Sequence, residues 1–431
     1  MYGEVGVFLK RACCILALLA GSVASAAVET LTTADGVEMA IATHPAAGGR
    51  LFIWLPSEAG PQANAVAIAD KLAQAGVEVW RADPVDARFL PLAASSLDQL
   101  PAADVSSLLD YALKHTRKRL FIVTSGRGVI PVLRGVRHWQ QTTQDSARLA
   151  GVILMSPKFF VETPDPGAEA VLMPIVSASN VPLYLFQPDQ SPWYWKLDLT
   201  LPALERGGSD VFVRLLRGVR DRFYFRPDAT PAEDALRDQL PRLLTNAADA
   251  LETLPPKRRD AAPLQQPAPP ARIGKKVREL SPYQGEPVPP SLELEDLAGR
   301  KKTLADYAGR VVLVNFWASW CPPCVHELPS MERLATRLGG ESFVILGVNM
   351  AERPEAVRAF LDTLHDTNTA VSFPILLDRD GAALKRWQVF AFPTSFVIDK
   401  QGRIRYALFG ATEWDDASVL AKIRGLLQET E

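Results

Sequence analysis

Cysteine is scarce: four residues in a chain of 431. That excludes a disulfide-dense scaffold. A charge excess of one sign is also missing. Lys plus Arg is 47 and Asp plus Glu is 49, a net charge of -2, so no strong field favours nucleic acid or anionic lipid. Long apolar runs are absent, which excludes a polytopic membrane protein. Histidine is missing from Trp139 to Val325. What remains is ordinary globular composition, 48% hydrophobic and 22% charged, enough for two or three domains.

Lys10 and Arg11 precede a short apolar run from Ala12 to Gly21, and Ala24-Ser25-Ala26 fits a cleavage site before Ala27. This three-part pattern is that of a secretory signal peptide over residues 1–26. The expected location is the periplasm or another exported compartment, with membrane anchoring as the alternative if the segment is kept. Cys13 and Cys14 lie in the leader core. The mature chain then keeps two cysteines, Cys321 and Cys324, in an oxidising compartment.

Ten prolines fall in residues 255–290, among Gln, Ala and basic residues. Proline at that density blocks helix and sheet ladders, so the stretch reads as an interdomain linker. It separates a first domain, 27–254, from a second, 291–431. In the first, short apolar strands such as Leu51–Leu55, Leu120–Thr124 and Gly151–Met155 alternate with helices such as Ala102–His115 and Ala232–Leu251. Ala34-Asp35-Gly36 reads as a hairpin turn between the first two strands. Strand and helix alternation implies a mostly parallel sheet, hence an α/β fold. The second domain repeats the pattern, with strand Val311–Trp317 leading into helix Pro322 to Leu338.

Between those two elements stands Trp320-Cys321-Pro322-Pro323-Cys324. Strand, C-x-x-C, helix is the context in which two thiols do redox work. Cys321 lies at the helix N-terminus, where free N–H groups and the dipole favour a thiolate. It is expected to be the exposed attacking thiol, and Cys324, one turn in, the more buried resolving one. A structural disulfide and half a zinc site are the alternatives; zinc needs two more ligands, and no second cysteine pair exists. No metal and no cofactor are expected.

The run Val312 to Cys324, VLVNFWASWCPPC, resembles the active-site strand and helix of the thioredoxin superfamily. Its continuation Glu327-Leu328-Pro329 resembles the exported TlpA/ResA-like reductases. The likeness spans about a third of the chain. It implies a thioredoxin-like domain and a thiol-disulfide oxidoreductase that reduces protein disulfides. It also implies regeneration through a membrane-embedded electron donor, and no nucleic acid partner. Pro393, in Ala391-Phe392-Pro393-Thr394, matches the cis-proline loop that faces the cysteines in this fold. Phe392, Thr394 and Trp320 are the expected substrate-binding neighbours. Asn315 stands where cytosolic thioredoxins carry a buried acid, so that proton-transfer role reads as vacant. Glu327 matches an acid typical of the TlpA-like group, three residues after Cys324. It is expected to approach Cys324 and to relay the resolving proton; a surface helix acid is the other reading. Peroxide reduction is the rival within the fold. It wants a hydroxyl three residues before the nucleophile, and Ala318 stands there.

The strand order, the Asp35-Gly36 hairpin and the final helix of the first domain resemble the α/β-hydrolase fold. Its nucleophile elbow would follow strand Leu120–Val123, yet Thr124-Ser125-Gly126-Arg127-Gly128 does not make G-x-S-x-G. Asp189 fits the acid position, but no histidine follows it in the first domain. The resemblance implies the fold without the activity, hence a binding or client-recruiting domain.

Overall fold

The computed structural model describes residues 27–264, 279–340, 342–366 and 370–429. The expected leader, 1–26, and residues 265–278 of the proline-rich stretch lie outside the described residues.

Two eight-stranded sheets organise the described chain. The first contains β1 (Ala27–Thr32), β2 (Glu38–His44), β3 (Arg50–Trp54), β4 (Val77–Ala82), β5 (Arg119–Ser125), β6 (Leu149–Met155), β7 (Leu183–Gln190) and β8 (Val211–Arg220). Their order is β1-β2-β4-β3-β5-β6-β7-β8. β2 runs antiparallel to both its neighbours; every other pairing is parallel. β6, LAGVILM, is buried at every position. Such a strand needs cover on both faces, and parallel crossovers supply helices to both. α1 (Ala63–Gln74) and α7 (Pro231–Glu252) cover one face through Phe52, Phe121, Ile153 and Leu244. α4 (Ala102–His115) and α5 (Val129–Thr142) cover the other through Ile53, Ile122, Leu109 and Val132. The hairpin between β1 and β2 turns at Gly36, φ 85°, where a side chain would be strained. α2 (Pro84–Ala87), α3 (Ala94–Gln99) and α6 (Leu197–Gly207) were not legible by periodicity: two are very short, and α6 contains Pro202.

The second sheet contains β9 (Ser281–Pro282), β10 (Glu293–Asp296), β11 (Lys301–Thr303), β12 (Val311–Trp317), β13 (Phe343–Met350), β14 (Ile375–Asp378), β15 (Thr394–Ile398) and β16 (Ile404–Phe409). The order is β11-β10-β14-β13-β12-β15-β16-β9. β12 is central and buried at all seven positions, parallel to β13 and antiparallel to β15. α8 (Pro322–Leu338), α9 (Pro354–Asp366) and α11 (Ala417–Gln428) pack on one face. The short α10 (Ala382–Arg386) packs on the other.

The expected linker is gripped at both ends, so the free span is shorter than 255–290. Leu280 is buried in the second core, and β9 pairs with β16. An edge strand tolerates Pro282 because its N–H side needs no partner. At the other end, Arg259 bonds Asn180 and Gly208, and Arg137 bonds Ala262. The two domains also touch directly. Trp195 packs against the second core. It lies over Gly381, where an added Cβ would fall 2.5 Å from its ring. Lys196 Nζ sits 4.0 Å from the centre of the Phe390 ring, and Lys385 pairs with Asp198 at 2.7 Å.

Candidate active site

β12 ends at Trp317, and the chain turns through Ala318-Ser319-Trp320 into α8. Cys321 is the N-cap, with extended backbone, and Cys324 N–H donates to its Sγ at 3.3 Å. Pro322 and Pro323 fill the first two helical positions, where an N–H would have no intrahelical acceptor. Cys321 and Cys324 form a disulfide, S–S 2.18 Å. Cys321 is 6% exposed and Cys324 0%. Cys321 is the more exposed of the two but is not open to solvent, and Trp320 and Phe392 pack against the same cluster. Once reduced, the Cys321 sulfur would keep the helix N-terminus beside it, which favours the thiolate.

Glu327 is not a surface acid. It is fully buried, and burial pushes its carboxyl up to about 7 against three hydrogen bonds that favour the charged form. Asn315 Nδ2 donates to Oε1 at 2.8 Å, Trp414 Nε1 to Oε2 at 3.0 Å, and Thr412 N–H to Oε2 at 3.4 Å. None of the three comes from Cys324, whose sulfur is joined to Cys321. Asn315 is not idle either. Its amide spans Glu327 and the Ser395 hydroxyl, 2.9 Å away, and so ties α8 to β15.

The Phe392–Pro393 peptide bond is cis. Pro393 is buried, and its carbonyl accepts from Gly410 N–H at 2.9 Å. Phe392 meets Trp320 edge to face, centroids 5.7 Å apart, beside the disulfide. Thr394 is 2% exposed and its hydroxyl donates to the Ala391 carbonyl at 2.8 Å. Its side chain is turned into its own loop.

Three contributors escaped sequence reasoning. Trp414 and Thr412 reach Glu327 from more than 80 residues away, with no motif to announce them. Glu352 accepts from Ser319 N–H at 2.8 Å and from Asn349 Nδ2 at 2.7 Å, and also takes the Ser319 hydroxyl. It fixes the turn that delivers Cys321. Trp317 and Asn349 are register partners near the ends of β12 and β13, a pairing that no spacing in the sequence announces.

The first domain has its own strand-to-helix turn. β5 ends at Ser125, and Gly126 follows with φ 53°. The Arg127 N–H behind it donates to Glu58 Oε2 at 2.8 Å, and Lys158 pairs with Glu58 at 2.6 Å. Burial pulls the Glu58 carboxyl upward, but Lys158 and backbone donors outweigh it and leave it lowered. Ser125 Oγ is bonded to Tyr224 OH at 2.6 Å. Asp189 accepts from Gly218 N–H at 2.8 Å. The imidazoles of this domain lie elsewhere, on Asp70, Tyr111 and Ser106.

Among the described residues no cluster of His, Cys, Asp and Glu is arranged to hold a metal ion, and no helix is long and apolar enough to cross a membrane. Residues 285–407 match the AhpC/TSA family. The thiol-disulfide oxidoreductase ResA of Geobacillus thermodenitrificans is 35% identical over 127 residues, 30% of this chain and 70% of that protein. The thioredoxin-like protein YneN of Bacillus subtilis is 37% identical over 131 residues, 30% of this chain and 72% of that protein. The crystal structure of StoA from Bacillus subtilis is 26% identical, covering 32% of this chain and 98% of that one, with a TM-score of 0.27. Of the two α/β domains, the C-terminal one is thus a thioredoxin-like redox domain, and through it the chain belongs to the ResA/TlpA-like branch of the thioredoxin superfamily.

Proposed function

We propose that the chain is an exported thiol-disulfide oxidoreductase that reduces disulfides in client proteins. The observation that carries this is the Cys321–Cys324 disulfide at the head of α8, in a chain whose relatives bear the name thiol-disulfide oxidoreductase. In the reduced enzyme the Cys321 thiolate attacks one sulfur of a client disulfide. A mixed disulfide forms and the other client sulfur leaves as a thiolate, which takes a proton. Cys324 loses its proton and attacks Cys321 Sγ, releasing the second client thiol and closing the enzyme disulfide. Two electrons and two protons from a membrane-embedded dithiol donor then restore the enzyme. Glu327, one turn beyond Cys324 and poised near neutrality, is assigned as the proton acceptor for the resolving step. A peroxidase reading is weaker: Ala318 offers no hydroxyl at the position where peroxide would need one.

The test is a pair of variants in the full chain. Cys321→Ser is expected to abolish reduction of client disulfides. Cys324→Ser is expected to accumulate covalent client adducts on Cys321, identifiable by mass spectrometry. Full turnover in Cys321→Ser would remove the assignment.

We further infer that the first domain recruits clients rather than hydrolysing them. Its strand order fits the α/β-hydrolase resemblance, but Gly126 occupies the elbow and Glu58 takes the N–H that an oxyanion would need. Its contact with the second domain, through Trp195 and Lys196, falls beside Phe390, two residues before Phe392. Trapped clients should therefore differ between the full chain and a chain beginning at Glu279. Identical client sets would leave the first domain without that role.

A further inference from the structure

A cavity of about 760 Å³ opens on the first domain, beside the C-terminal ends of β3 and β5. Its volume lies within the range of small-molecule sites. Small residues make the room: Ala40, Ala42 and Ala65 line it where larger side chains would fill it. Trp54 and Tyr224 give it aromatic walls. The redox dithiol takes no part in it.

Two charged groups on its wall keep a buried atom without a partner: Asp83, which caps α2 through Oδ1 and leaves Oδ2 unbonded, and Arg81. Arg81 lies in the middle of the wall, the register partner of both Ala42 and Trp54. Its Nε is buried without a partner. No carboxylate or carbonyl among the described residues bonds its guanidinium. The nearest acid that acts on it, Asp70, is engaged with His44 at 2.7 Å. The other arginine on the wall, Arg88, is satisfied by Asp35 and Asp104. A half-buried guanidinium with no directly bonded acid has lost solvation without gaining an ion pair, which is costly unless something else supplies the anion.

The rim carries a second anomaly. Phe89 is 96% exposed and holds φ 53°, a left-handed conformation that a bulky aromatic residue rarely adopts. The backbone is accounted for locally: Phe89 closes the end of α2, its N–H donating to the Asp86 carbonyl at 2.9 Å and the Leu90 N–H to the Val85 carbonyl at 3.0 Å. The ring is not accounted for, since it touches little; a ligand that slides under it would bury it.

We propose that this cavity binds a small amphipathic carboxylate, its head group held by Arg81 and its apolar body lying between Trp54, the alanine floor and Phe89. A guanidinium matches a carboxylate in a two-point geometry. The ligand is a monoanion rather than a phosphate dianion, because Glu38, Asp83 and Asp86 also line the cavity and oppose a second negative charge. The ligand is bound without covalent chemistry, since Ser125 is held by Tyr224 and lacks an imidazole.

The probe is decanoate, titrated calorimetrically into the full chain, with 1-decanol as the uncharged match. Decanoate is expected to bind at one site and at least about tenfold more tightly than decanol, the worth of one charge-assisted hydrogen-bonded pair. Arg81→Gln should remove that preference, leaving decanol binding as it was. Phe89→Ala, at an exposed position, should weaken both probes by a similar factor. Both variants should keep wild-type reduction of client disulfides, which reports an intact second domain. Their far-ultraviolet circular dichroism should match the wild type, which reports an intact first domain. The wild-type comparison of the two probes stands even if Arg81→Gln does not fold. No uptake of decanoate, equal affinity for decanoate and decanol, or an unchanged preference in a folded Arg81→Gln each overturns the proposal.

Discussion

Both domains bend a buried strand into a helix and leave backbone N–H groups free at the bend, and they meet those groups with opposite chemistry. After β12 the group is a sulfur: Cys321 Sγ accepts from Cys324 N–H, and the same atom belongs to the exchangeable disulfide. At the bend after β5 stands Gly126, without a side chain, and the next N–H is taken by Glu58, itself held by Lys158. A sulfur can leave and return through thiol exchange. A carboxylate locked by a lysine has no such chemistry. A strand-to-helix bend thus gives a reactive end in one domain and a sealed end in the other, because what matters is the group that meets the free N–H.

The largest expected effect tests the reactive end. Glu327 has an ordinary carboxyl value of 4.5 and is pushed up to about 7 by burial. The folded chain therefore holds that proton more tightly than the unfolded chain. Its stabilising contribution is complete below pH 4.5 and is lost as pH rises through about 7, a change of about 3 kcal/mol if the whole shift is expressed. Glu327→Gln should flatten this dependence, so that the variant is at least as stable as wild type at pH 8. The exchange is sterically mild. Asn315 Oδ1 is buried without a partner, and an amide flip would let it accept from the new Gln side chain. The check is the denaturant midpoint of the transition that exposes Trp414, measured at pH 5 and pH 8. The same variant should move the pH–rate inflexion near neutrality. Overlaying curves in both measurements would remove Glu327 as the titrating group.

The difference in legibility between the two ends follows from range. The C-P-P-C motif, the strand before it and the helix after it are local, and each was readable from a few neighbouring residues. The principal strands of the first sheet were readable too, since β6 is an apolar run throughout and β5 carries one from Leu120 to Val123. The groups that tune each end come from far away in sequence. Trp414 lies 87 residues from Glu327, and Glu58 lies 69 residues from Arg127. No spacing rule links such pairs; only the sheet order brings them together. Asn315 was half legible for a related reason. Alone it reads as a position without an acid, and only the fold shows it donating to Glu327 and Ser395. The proline count misled at Ser281–Pro282, where an edge strand accepts what a central strand would reject.

A smaller effect is expected from restoring a hydroxyl at the sealed end. In Gly126→Ser the new Cβ would fall 2.4 Å from Glu58 Oε2, at a φ of 53°. The carboxylate must move and the backbone is strained, at a cost of about 1–3 kcal/mol. No ester hydrolysis should appear, because the serine would have no imidazole to take its proton. The measurements are the thermal midpoint of the first domain and turnover of p-nitrophenyl acetate. Catalytic hydrolysis by Gly126→Ser would mean that the two ends differ by one residue rather than by their whole surroundings.

The smallest effect concerns the contact that joins the domains. Lys385 and Asp198 pair at 2.7 Å, but their side chains are 42% and 53% exposed. Solvent and salt screen such a pair, so its worth is about 0–1 kcal/mol. Next to it, Trp195 lies flat over Gly381, and Lys196, 5% exposed, sits over the Phe390 ring with its ammonium lowered to about 8 by burial. Those contacts exclude water and do not depend on salt. Lys385→Ala should therefore shift the thermal midpoint of the full chain by no more than about 2–4 °C. The shift should vanish in 0.5 M salt, where the Debye length falls to about 4 Å. Client reduction should be unchanged, since Lys385 touches neither cysteine. A larger shift that survives high salt would show that the ion pair, and not the buried aromatic contact, holds the sealed domain against the reactive one.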